Sequence, residues 1–222
     1  MKVKHIVLKD YSGPREGSCR TGKRGGSCPR STNQNDVVTF DGIQNLLAEM
    51  KPNLKRMLAH ALEEAGITYG ELEGFNGFSN EVPPILDSEW NYPGSRGFPI
   101  GQLYDPDTKK IHINPSDLFG QAGRYPPAIA HEVGHYVSSK MKEKESTYEK
   151  LVPLLFGFTK ASSDIESLKK IGFGKWADHA SSSPEEFIAE TFAIYKTGSA
   201  ELKDALAQYC GVSSLEDVFK IK

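Results

Sequence analysis

Apolar residues between Phe40 and Gly66 recur at helical spacing, with Ile43, Leu46, Leu47 and Met50 in one run and Leu54, Met57, Leu58 and Leu62 in the next. Pro52 falls between the runs and Gly66 closes the second, so the pattern predicts one kinked helix or two abutting ones. Residues 67 to 100 are rich in Gly, Pro and Asn with scattered aromatics, which predicts a long irregular connection. The segments Gln102-Leu103-Tyr104 and Lys110-Ile111-His112-Ile113-Asn114, joined by the turn sequence Asp105-Pro106-Asp107-Thr108, predict a β-hairpin. From Pro126 to the end the pattern is helical, with breaks near Pro153, Gly172 to Gly174 and Gly211. The expected fold class is α+β, helix-dominated, with a small antiparallel sheet before a long helix.

The first part of the chain has a different character. From Tyr11 to about Asn35 it is dense in Gly, Ser, Pro, Arg and Lys and offers no apolar groups to a core. Residues 1–35 therefore read as a flexible basic arm with a possible short strand at Val3 to Leu8, and residues 36–222 as one domain. Arg15, Arg20, Lys23, Arg24 and Arg30 could meet an acidic partner. Few aromatics interleave with them and no nucleic-acid motif accompanies them, so a solvated tail is preferred to nucleic-acid binding.

Composition narrows the classes further. A net charge of -2 gives no global field towards nucleic acid or an anionic membrane. Cys19, Cys28 and Cys210 are odd in number and widely spread, which is not a disulfide framework and suits a reducing compartment. The N-terminal apolar run is shorter than a signal peptide needs, and no window approaches a membrane span. A cytoplasmic protein is expected.

The chemistry concentrates at His131-Glu132-Val133-Gly134-His135. Two histidines four residues apart project from one helical face and can share a metal ion, and the Glu between them can act as a general base. Shuffling would produce such a pentapeptide in roughly one sequence per hundred, so context must carry the reading. Pro126 and Pro127 suit a helix start, and Ile129, Ala130, Val133 and Val137 fall opposite the two histidines. Gly134 costs up to about 1 kcal/mol against Ala, which suggests room kept for a close neighbour.

A third ligand is needed, with a fourth position left for water. In Ser183-Pro184-Glu185-Glu186-Phe187-Ile188-Ala189-Glu190-Thr191-Phe192-Ala193, Ser183 can cap a helix and Pro184 can open it. Glu186, Ala189, Glu190 and Ala193 then share one face and Ile188, Phe192 and Tyr195 the other. Small residues there let the helix approach closely enough for Glu186 to reach a metal. Glu190, one turn on, could accept a hydrogen bond from a ligand histidine. Ser183-x-x-Glu186 is equally a capping-box pattern, in which Glu186 would serve only the backbone.

HEVGH followed some fifty residues later by SPEEFIAETFA resembles the gluzincin-type zinc peptidases related to the anthrax toxin lethal factor catalytic domain, and similar domains in phage and mobile-element proteins. The resemblance covers mainly residues 100 to 196. It implies a zincin-like metallopeptidase domain over residues 36–222, with zinc held by His131, His135 and Glu186, Glu132 as base and Glu190 behind the ligands. Relatives often carry a Tyr seven residues before the third ligand, proposed to stabilise the oxyanion. Here that position is His179, which could donate to an oxyanion or be a surface histidine beside Asp178, with Tyr136 or Tyr195 as substitute donors. The expected activity is peptide or protein hydrolysis, with an extended substrate adding to the strand near Lys110 to Asn114. The alternative is a weak or inactive zinc-binding module docked into a larger phage or mobile-element assembly.

Overall fold

A computed structural model describes residues 33–81, 102–114 and 126–220. The predicted arm, with its Val3 to Leu8 strand, lies almost wholly outside these residues.

Helix α1 spans Pro52–Glu64 and places Leu54, Leu58 and Leu62 in the core at four-residue intervals. The run before it is not the expected first helix. It is a short 3-10 turn, Asp41–Ile43, followed by hydrogen-bonded turns that still bury Ile43, Leu47 and Met50. The reason lies in Pro52, whose missing N–H and fixed φ suit a helix start, so the proline opens α1 instead of kinking a longer helix.

Three short strands follow: β1 at Gly77–Ser79, β2 at Gln102–Asp105 and β3 at Lys110–Ile113. The hairpin β2–β3 forms as expected, with Leu103 opposite His112 and Tyr104 opposite Ile111. The sheet is nevertheless mixed, because β1 pairs parallel to β3 and the order is β1-β3-β2. This corrects the expected all-antiparallel sheet, and it places a strand inside the stretch read as an irregular connection. Gly77, at φ 109, permits the pairing: a Cβ there would sit 2.6 Å from the Leu46 carbonyl oxygen. Residues 82–101 of that connection lie outside the described residues.

The rest is helical. Among the described residues the longer helices are α2 at Pro126–Lys142, α3 at Val152–Ser163, α4 at Pro184–Thr197 and α5 at Ala200–Cys210. The breaks fall where expected: Pro153 is in the first turn of α3, Gly172 and Gly174 take positive φ, and left-handed Gly211 caps α5. No described helix is long and apolar enough to cross a membrane.

Helices α2 and α4 form the centre. Ile129, Ala130, Val133 and Val137 of α2 and Phe187, Ile188 and Phe192 of α4 are all fully buried. Their close approach runs through Gly134, where an added Cβ would lie 3.0 Å from both the Cα and the carbonyl oxygen of Ala189. The small-residue reading of both helices is therefore met in the packing.

Candidate metal centre

Ser183 caps α4 by accepting a hydrogen bond at 3.1 Å from the Glu186 N–H, and Pro184 opens the helix. That half of the capping-box reading is correct. The Glu186 carboxylate, however, is drawn to α2: its Oε2 lies 3.1 Å from His131 Nε2 and 3.5 Å from His135 Nε2. The two imidazole nitrogens are themselves 3.0 Å apart.

These three residues form a cluster that could hold a metal ion, and the donor set fits one. A tetrahedral cation bound at about 2.0–2.2 Å to each donor sets the donors about 3.3–3.6 Å apart, within a few tenths of an ångström of the 3.0, 3.1 and 3.5 Å seen. Glu186 Oε2 is buried and accepts no hydrogen bond, although nitrogens surround it. A buried carboxylate oxygen without a donor is costly unless a cation compensates it.

Electrostatics in the cluster follow from the same proximity. Burial opposes charge on His131, but Glu186, Glu190 and Glu132 outweigh it and raise its pKa to about 10. Burial likewise works against the Glu186 carboxylate, and His131 and His135 override it, holding it well below the usual carboxylate range.

Glu190, expected to accept a hydrogen bond from His131 or His135, is almost fully buried beside them, with Oε1 3.4 Å from His131 Nδ1. That contact is too poorly aligned to count as a hydrogen bond, and His131 Nδ1 has no other partner. The same Oε1 is hydrogen-bonded at 3.1 Å to Nδ1 of His179. His179 is thus not an isolated surface residue beside Asp178: half-exposed, it points its Nε2 to within 3.3 Å of Glu186 Oε2. Glu190 raises its pKa, against the pull of desolvation. His131, His179 and Glu190 make a second cluster of metal-ligating groups sharing His131 with the first.

The two tyrosines considered as substitute donors are elsewhere. Tyr136 is buried with its hydroxyl donating to the Glu73 carbonyl, and Tyr195 packs on Phe192 and Phe219 beside a cavity lined by Glu71 and Lys196.

Glu132 turns towards the sheet, and its Oε2 accepts a hydrogen bond at 2.9 Å from the Tyr104 N–H of β2. This contact was invisible in the sequence, because the donor is a backbone group whose direction depends on the sheet order. The order also corrects the expected substrate strand. β3 (Lys110–Ile113) is paired on both sides, whereas β2 is an edge strand among the described residues, with its Tyr104 N–H turned to Glu132. Antiparallel strands turn alternate residues towards the partner, so Gln102 shares the outward phase of Tyr104.

Two open cavities of about 490 and 510 Å³ flank the cluster and share Gln102, His131, Glu132 and His179. Volumes of this size are typical of ligand sites. Comparison of the chain with known protein families, with curated proteins and with solved structures finds no match in any of the three.

Proposed function

We propose that the protein is a zinc-dependent peptidase with a zincin-like domain. The observation that carries the reading is the convergence of Glu186 Oε2 with the Nε2 atoms of His131 and His135, beside a Glu132 held by an edge strand. Two nitrogen donors and one carboxylate oxygen are a zinc-type set with room for water. The resemblance to lethal-factor-like gluzincins points the same way.

In this reading His131 and His135 act as neutral donors and Glu186 as an ionised one. Bound zinc supplies Lewis acidity, polarising a peptide carbonyl and lowering the pKa of water towards about 7. Glu132 takes the proton of the attacking water and returns it to the leaving amine. The Tyr104 N–H keeps the Glu132 carboxylate aimed into the cleft. His179, positioned by Glu190, donates a hydrogen bond to the oxyanion in the place where the resembled family has tyrosine. An extended peptide lies along the outer side of β2 and gains main-chain hydrogen bonds at Gln102, the outward-phase residue whose N–H is not the one that holds Glu132.

The test is Glu132→Gln. The variant should keep a full complement of zinc and lose peptide cleavage by about 10²- to 10⁴-fold. Retention of full activity would sink the mechanism. Zinc without cleavage even in the unaltered chain would favour the alternative of an inactive zinc-binding interaction module.

A further inference from the structure

An apolar stripe stands on the outer face of α3. A helical turn at Glu145–Tyr148 and a 3-10 turn at Glu149–Leu151 lead into α3 with helical backbone at each junction, which makes a rod about 28 Å long. Tyr148, Val152 and Phe156 follow one another along it at four-residue steps and are 43%, 51% and 59% exposed. The other face is committed to the core through Leu151, Leu154, Gly157 and Ala161. The stripe lines neither cavity beside the metal cluster.

The charges beside the stripe are divided by end. Glu145 and Glu149 flank its N-terminal half, exposed and without an ion pair among the described residues. Lys160 flanks its C-terminal half, with its ammonium 4.7 Å from the Phe156 ring centroid and donating at 2.8 Å to the Tyr209 carbonyl. A parallel copy of the rod would set Glu145 against Glu145 and Lys160 against Lys160. An antiparallel copy centred on Val152 sets Tyr148 against Phe156 and brings Glu145 within about 1.5 Å, along the axis, of Lys160 of the second copy. At about 100° per residue Lys144 falls on the opposite flank from Lys160, and a two-fold axis sets like flank beside like flank.

We infer that the stripe of Tyr148, Val152 and Phe156 is the interface with a second copy of the chain, paired antiparallel about a two-fold axis at Val152. Burial of the three side chains supplies the attraction, and the two Glu145–Lys160 pairs set direction and register. At these exposures the stripe offers roughly 300 Å² of apolar surface per copy, below the ~800 Å² per partner of a standard stable interface. The dimer is therefore a weak one, with a dissociation constant above about 1 µM. The pairing is independent of the metal cluster and of any hydrolysis.

Sedimentation equilibrium of the full chain between about 1 µM and about 1 mM should show a monomer passing into a dimer. Val152→Glu sets two carboxylates face to face on the axis and should weaken association by about 10-fold or more, with zinc content and circular dichroism unchanged because the residue is exposed. A parent chain that is monomeric at the highest concentration overturns the inference, and so does a folded Val152→Glu chain that pairs as well as the parent.

Direction and register are read separately. Glu145→Lys and Lys160→Glu should each weaken self-association, and an equal mixture of the two should recover it, since both charge pairs are then opposite in sign. On a Cys19→Ser, Cys28→Ser background, Val152→Cys should oxidise to a disulfide-linked dimer. Glu145→Cys should not, because the two copies of that residue lie about 21 Å apart along the axis. A mixture that pairs no better than either variant alone, or equal cross-linking at both positions, overturns the antiparallel pairing.

Discussion

The two ends of α4 each hold a charged group close to a buried partner, and they are finished differently. At the last turn Lys196 donates to both oxygens of Glu71 at 3.0 Å, and Glu71 also accepts the Thr68 N–H at 2.8 Å. Every carboxylate oxygen there has a donor, and the two side chains are only 9% and 11% exposed. At the first turn Glu186 Oε2 has three imidazole nitrogens within 3.5 Å and accepts from none of them. A satisfied buried pair holds elements together, whereas an unsatisfied one is arranged for something that arrives from outside. The contrast separates structural charge from site charge on a single helix.

That contrast can be broken at either end. Glu71→Ala leaves Lys196 buried without its carboxylate and should cost about 3 kcal/mol of stability in denaturant unfolding. At moderate denaturant-free temperatures the variant should still bind metal, since Glu71 is not in the cluster. Loss of metal together with stability would mean that the two ends are not separable.

A smaller effect is expected where the two helices cross. Gly134→Ala gains about 1 kcal/mol of helix propensity but drives a methyl into Ala189 backbone that cannot rotate away. The net loss should be about 1 to 2 kcal/mol, with weaker metal binding as His131 and His135 move off Glu186. An unchanged midpoint and unchanged metal affinity would show that the crossing does not set the site.

Glu190 sharpens the comparison most finely. Glu190→Gln keeps the shape but removes the charge behind His131 and His179. Metal affinity should fall by about 10-fold, measured by competition with a chelating dye, while the unfolding midpoint of the metal-free protein stays close to the parent. A purely structural role would reverse that pattern.

Much of this is legible in the amino-acid sequence. His131, His135 and Glu186 converge because their spacing on two helices is periodic, and the glycine and alanines that allow the approach are visible as small residues. Helix ends at Ser183 and Gly211 are written in local chemistry as well. What escaped the sequence was non-local. Three residues, Gly77 to Ser79, carry too little pattern to announce a strand, and their parallel pairing with β3 makes Lys110–Ile113 central and β2 an edge among the described residues. The Tyr104 N–H on Glu132 follows from that order and from no side-chain signal. Pro52 was ambiguous between a kink and a start, and the chain used it as a start.

The central claim is that Glu186 completes a three-residue metal site with His131 and His135. It is tested most directly by elemental analysis of purified, zinc-equilibrated protein after gel filtration, for the parent chain and for Glu186→Ala. The parent should carry one zinc per chain and the variant a small fraction of one, with both folded by circular dichroism. A variant that retains stoichiometric zinc, or a folded parent that holds none, would contradict the account.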